Sequence, residues 1–222
     1  RTLFQDVFIQ RNRIVQPGRS PIEVSSCQRC LIENNAISFD NSNFVIAINV
    51  PRRRGDGVNH AFVQDAIVKH NSIYIGERAL FTAIAIKVAG SGAGHEISGN
   101  AITNLSNART TCCIDQSFDL MQYRAIGQNV CSLSPDNVNA NWALGYSTLA
   151  IWQALTDFGR GSSAEYPGFA DPAPPLADFR ITDPDSPVID GGEFGQPPID
   201  ITGRDREGRS DIGAYEYRPD AQ

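Results

Sequence analysis

Apolar residues recur along this chain in a fixed phrase: an aliphatic, two free positions, an asparagine, one free position, a second aliphatic. It reads Ile9-x-x-Asn12-x-Ile14, Ile32-x-x-Asn35-x-Ile37, Val68-x-x-Asn71-x-Ile73, Ile97-x-x-Asn100-x-Ile102 and Ile126-x-x-Asn129-x-Cys131. The asparagines stand 23, 36, 29 and 29 residues apart, within the periods that mark stacked repeat units. A second apolar strip follows most of them: Ile22-x-Val24, Val45 to Val50, Ile84-x-Ile86-x-Val88 and Thr111 to Ile114. Each repeat is then two short strands with turns, too little to bury its own apolar face, so neighbours must stack into one core. The period-2 alternation breaks at each Asn, as at a corner, and Asn tolerates the left-handed backbone a corner needs. Inward-pointing amides at one corner can bond to each other up the stack.

The pattern predicts an all-β chain: a right-handed, single-stranded parallel β-helix, or solenoid, with coils over residues 1–131. Residues 132–222 change character and are expected to form a helix and an irregular cap. Ser147 to Gly159 carries the helical signal, with Ser147 as N-cap, Gly159 as stop, and Ile151, Leu155 and Phe158 on one face beside Trp152. Short strands are expected at 179–181, 188–189 and 212–217, separated by Asp, Gly and Pro turns. This tail is the candidate cover for the raw strand edge at the C-terminal end of the stack. No comparable segment covers the first coil, which points to sequence preceding Arg1 or to head-to-tail self-association.

Composition sharpens this. Only two Lys stand against seventeen Arg, and a net charge of −6 argues against nucleic acid as the main partner. No apolar run is long enough for a membrane span. Among five cysteines, Cys27-x-x-Cys30 has no second pair with which to hold zinc. A Cys27–Cys30 disulfide, and another from Cys112 or Cys113 to Cys131, suits an exported protein. Buried free thiols are the alternative.

The tail phrases Ser147-Thr148-Leu149-Ala150-Ile151-Trp152-Gln153, Pro167-Gly168-Phe169-Ala170-Asp171-Pro172, Ser186-Pro187-Val188-Ile189-Asp190-Gly191-Gly192, Asp200-Ile201-Thr202-Gly203-Arg204-Asp205-Arg206 and Asp211-Ile212-Gly213-Ala214-Tyr215-Glu216 follow one another in order. With the five asparagine units, they resemble the pectate-lyase-like β-helix superfamily with a choice-of-anchor Q type C-terminal region. The resemblance implies a secreted or surface bacterial protein and, for some members, polysaccharide lyase activity. The His-Gly-x-Arg signature of chondroitinase-B-like and alginate-lyase helices has no counterpart here, and Arg19-Ser20-Pro21-Ile22-Glu23 matches only the start of Arg-x-Pro-x-x-Arg.

β-Elimination on a uronic acid needs a cation for the carboxylate and groups to take and give a proton. The insertion between Val50 and Ile67, with Arg52, Arg53, Arg54 and His60, offers that mixture, joined by Lys69 on the next coil. The arginines are the expected carboxylate binders, and Lys69 or His60 the proton-transfer group, on an acidic polysaccharide. A solvated basic loop is the alternative reading of the same residues. His95, after a Gly-rich turn, reads as a turn residue. Trp142, Tyr146, Trp152 and Tyr166 could form a sugar platform, although Trp152 suits helix packing better. No cofactor or metal motif is present. The tail aspartates, including Asp200 and Asp211, suggest calcium only loosely and fit turns and caps better. A non-catalytic surface or filament-forming solenoid stands as the second functional reading.

Overall fold

A computed structural model describes residues 4–51, 63–89, 92–116, 119–192 and 197–219. The chain winds into five coils that contribute to three parallel sheets, a parallel β-helix. The first sheet takes Phe4–Gln10, Cys27–Glu33, Gln64–Lys69, His95–Ser98 and Tyr123–Gly127; the second takes Arg13–Val15, Ala36–Phe39, Ser72–Ile75, Ala101–Asn104 and Val130–Leu133. The third takes Ile22–Glu23, Val45–Val50, Thr82–Val88, Thr110–Asp115 and Ala140–Ala143. The coils therefore continue past Cys131, the expected boundary, to Ala143. The last strand keeps its partner because Ala143 sits over Ile114.

The interior is a set of aliphatic files. Ile9, Ile32, Val68, Ile97 and Ile126 stack in register, as do Ile14, Ile37, Ile73, Ile102 and Cys131. Ile22, Ile48, Ile86, Ile114 and Ala143 form the third file. Identical or similar side chains meeting every coil bury one continuous core that no coil could bury alone.

The first and second sheets meet at the asparagine corner. Each Nδ2 donates to the next coil's Oδ1: Asn12 to Asn35 (2.9 Å), Asn35 to Asn71 (3.0 Å), Asn71 to Asn100 (3.0 Å) and Asn100 to Asn129 (2.9 Å). Each Oδ1 also accepts the backbone N–H of the Asn one coil earlier. The left-handed residue is not the Asn, as the sequence suggested, but the one before it: Arg11, Asn34, His70, Gly99 and Gln128. That residue makes the bend, which leaves the following Asn free to aim inward and bond the ladder.

The helix runs Leu149–Thr156, shorter than its sequence signal, with Thr148 rather than Ser147 capping the Ile151 N–H and Asp157 left-handed at its end. Its expected apolar face is also revised: Ile151 is 43% and Leu155 70% exposed, while Trp152 is fully buried. Trp152 fills the mouth of the last coil, where Trp142, Tyr146 and Phe158 surround it, so the largest side chain decides which face packs. Residues 159–163 then lie on the last coil, with Gly159 N–H bonding Ile126 O and Cys131 N–H bonding Ser163 O.

The rest of the tail runs back along the outer face of the second sheet rather than across the end of the stack. A second apolar core forms there from Ala36, Ala101 and Val130 against Phe169, Phe179, Val188 and Ile212. Phe169–Asp171 and Asp178–Ile181 pair antiparallel. Segments 188–189 and 212–217 are irregular instead of strands: Val188 O accepts the Ile212 N–H within the tail, while Gly213 N–H bonds Gly99 O and Ala214 N–H bonds Ser72 Oγ on the coils. Disulfides join Cys27 to Cys30 and Cys113 to Cys131, leaving Cys112 as a free, buried thiol. Strand alternation decides that pairing, since Cys113 faces the interior with Cys131 while Cys112 faces outward, onto Ile46 and Ile84.

Candidate functional site

Lys69 and His70 are neighbours with opposite fates. Lys69 ends its strand pointing outward from the first sheet; His70 turns the corner and is buried under the tail. His70 Nδ1 lies 3.0 Å from Asp211 O, and burial, reinforced by the nearby Arg206 guanidinium, holds the imidazole down to about 3. It is a neutral anchor for the tail. Gly99, one coil on, has no side chain because a Cβ there would come within 2.9 Å of His70 Nε2. His95 is no turn residue either. It starts a strand, faces the interior against Tyr123, and accepts the Ala66 N–H at Nδ1.

On the outer face of the first sheet the residues two before each Asn align: Gln10, Glu33, Lys69, Ser98 and Gly127. Gln10 Nε2 donates to Glu33 Oε1 at 2.8 Å, and Lys69 Nζ lies 3.3 Å from Glu33 Oε2. Beside this file Ser98 Oγ donates to Glu96 Oε1 (2.6 Å), and Arg124 Nη2 donates to Glu96 Oε2 (2.6 Å). The strip opens at its C-terminal end into a shallow cleft of about 490 Å³ among Glu96, Arg124, Gln128, Asp157 and Arg160.

Arg52, Arg53, Arg54 and His60 lie outside the described residues. Their insertion leaves the third sheet at Pro51 and re-enters at Val63, just before the Gln64–Lys69 strand. Lys69 is at the far end of that strand, about 20 Å away at ~3.3 Å per residue. The aromatic platform does not form: Trp142 and Trp152 are buried in the last coil. Asp200 and Asp211 are bound up in turns, accepting N–H groups of Thr202, Arg204, Asp190 and Tyr217. Among the described residues no group of three His, Cys, Asp or Glu side chains is placed to hold a metal ion.

Sequence reasoning missed Glu33, Ser98, Glu96 and Arg124. The signal for the first two was present: each directly follows an aliphatic of the inward file, Ile32 or Ile97, and neighbours on a strand face opposite ways. Glu96 and Arg124 required the strand register, which shifts between His95 and Glu96. Compared with protein-family models, curated proteins and solved structures, the chain matches none.

Proposed function

We propose that this chain is an exported, carbohydrate-active β-helix protein that holds an acidic polysaccharide along the outer face of its first sheet, with β-elimination as the reaction that face serves. The observation carrying this reading is the outward polar file Gln10, Glu33, Lys69 and Ser98, flanked by Glu96 and Arg124 and leading into an open cleft. Adjacent coils lie ~4.8 Å apart, so Lys69 and Arg124, two coils apart, present cations at a spacing of about 10 Å along the stack. A polymer with repeated carboxylates and hydroxyls offers the matching partners. Export is supported by the two disulfides, which persist in oxidising compartments.

One observation favours holding without cleavage: Glu33 and Glu96 are both engaged by neighbouring donors, so neither stands ready to take a substrate proton. The experiment is incubation of the chain with a panel of uronate polymers, following binding by affinity electrophoresis and cleavage by ultraviolet absorbance of the unsaturated product. Lys69→Gln and Arg124→Ala should each weaken binding about tenfold or more, the ~1.5 kcal/mol of one charged hydrogen bond. Binding without new absorbance selects the non-catalytic reading. No binding to any uronate polymer, or variants that bind like the parent, ends the proposal.

A further inference from the structure

Three arginines from separate stretches of the tail converge on a second cleft, of about 330 Å³, that the sequence did not announce. Arg180 comes from the Asp178–Ile181 strand, Arg204 from the turn after Asp200, and Arg218 from the C-terminal segment; Tyr215, Thr182 and Thr202 share the lining. Two of the guanidinium groups are held in place. Asp178 grips Arg180 through Nε (3.0 Å) and Nη2 (2.6 Å), while Arg218 bonds Glu207 Oε1 (3.3 Å) and Asp205 O (2.6 Å). Arg204 is exposed, and among the described residues its guanidinium makes no hydrogen bond or ion pair.

The carboxylates in the same walls are already committed. Glu216 accepts from Arg206, itself buried, and from the N–H groups of Glu207 and Asp211; Asp200 accepts from Thr202, Arg204 and Glu216. Glu216 is paired with Arg206, and Arg180 and Arg218 with Asp178 and Glu207, which leaves Arg204 as the guanidinium at the cleft without a carboxylate partner among the described residues. Tyr215 is half-buried, and burial pushes its phenol up, keeping it a neutral hydroxyl. With Ile181 it gives the cleft an apolar wall beside its donors. The volume is at the small end of ligand pockets, about 300–1,000 Å³.

We propose that this tail cleft binds a sugar unit bearing one singly charged oxyanion, either a uronate carboxylate or a sulfate ester. Guanidinium forks match both oxyanions, hydroxyls of Thr182, Thr202 and Tyr215 match sugar hydroxyls, and the Tyr215 ring with Ile181 offers a surface for the pyranose face. A dianionic phosphate suits it less, because Asp200 and Glu216 remain close by. The cleft is built wholly from tail residues and does not depend on the first-sheet reading.

Isothermal titration calorimetry on the full chain tests it with a uronic acid trisaccharide, a sulfated disaccharide and a neutral trisaccharide. A charged saccharide should bind, less tightly as salt rises, and the neutral one should not. Arg204→Ala, which removes a side chain without internal bonds, should weaken binding about tenfold or more, whereas Arg109→Ala, at an exposed arginine outside both clefts, should leave this binding unchanged. Tighter binding of the uronate assigns the carboxylate as the source, and tighter binding of the sulfated sugar assigns the ester. The proposal is overturned if neither charged sugar binds, if the neutral one binds equally, or if Arg204→Ala binds like the parent. Loss in Lys69→Gln with Arg204→Ala unaffected would overturn the cleft and leave the first-sheet face standing.

Discussion

Replacing Asn71 with Ala removes the middle rung of the corner ladder, and the structure sets the size of the effect. Asn71 Oδ1 accepts both the Asn35 N–H (3.0 Å) and Asn35 Nδ2 (3.0 Å), and its Nδ2 donates to Ile32 O (3.0 Å) and Asn100 Oδ1 (3.0 Å). Asn35 and Asn71 are fully buried, so water cannot replace what is lost. At least two backbone groups, the Asn35 N–H and the Ile32 carbonyl, lose their Asn71 partner. At ~1–3 kcal/mol each the variant loses about 2–6 kcal/mol. Asn12→Ala is the internal control. Asn12 is exposed at the first coil, and Asn35 Oδ1 still accepts the Asn12 backbone N–H when the side chain is gone, so the loss should be about 1 kcal/mol or less. Urea unfolding followed by fluorescence of the buried Trp142 and Trp152, disulfides intact, measures both from the shift in midpoint at constant slope. Equal losses in the two variants would refute the ladder as a source of stability.

Two further outcomes follow from the buried groups. His70, held down to about 3 from 6.5, favours the folded state only while neutral, so its contribution is lost as pH falls from about 6.5 towards 3; Asp211, pushed up to about 6 from 3.8 by burial, is stabilised by protonation and contributes more as pH falls from about 6 to 4. Melting temperature against pH should therefore fall more steeply with acid in Asp211→Asn than in the parent, and less steeply in His70→Gln; matching slopes in all three would contradict this. Cys112 is fully buried, and burial pushes its thiol well up, so a thiol reagent should leave the native chain untouched. Unfolding without reductant should expose one modifiable cysteine by mass spectrometry, and two or more adducts would mean that a disulfide is missing.

The sequence by itself determined the coil stack. A residue that recurs once per coil meets its own copies at the same corner, so Ile9, Ile32, Val68, Ile97 and Ile126 could be placed on one file from periodicity alone. The five asparagines carried the corner for the same reason, although the bend itself fell to the residue before each. What lies outside the repeat was decided only by the tertiary structure. The tail packs sideways through contacts such as Ala214 N–H with Ser72 Oγ, 142 residues apart, and no local pattern encodes such a pairing. Likewise Arg180, Arg204 and Arg218 sit in unrelated phrases and meet only once the tail is folded. Lys69 was legible as a cation next to the corner, but that it rather than His70 faces outward, and that Glu33 is its partner, depended on strands 36 positions apart in the chain lying in register, Glu33 opposite Lys69. Repetition makes neighbours predictable because every coil solves the same packing problem; the cap and the charged surfaces are solved once, by contacts that only the assembled chain brings together.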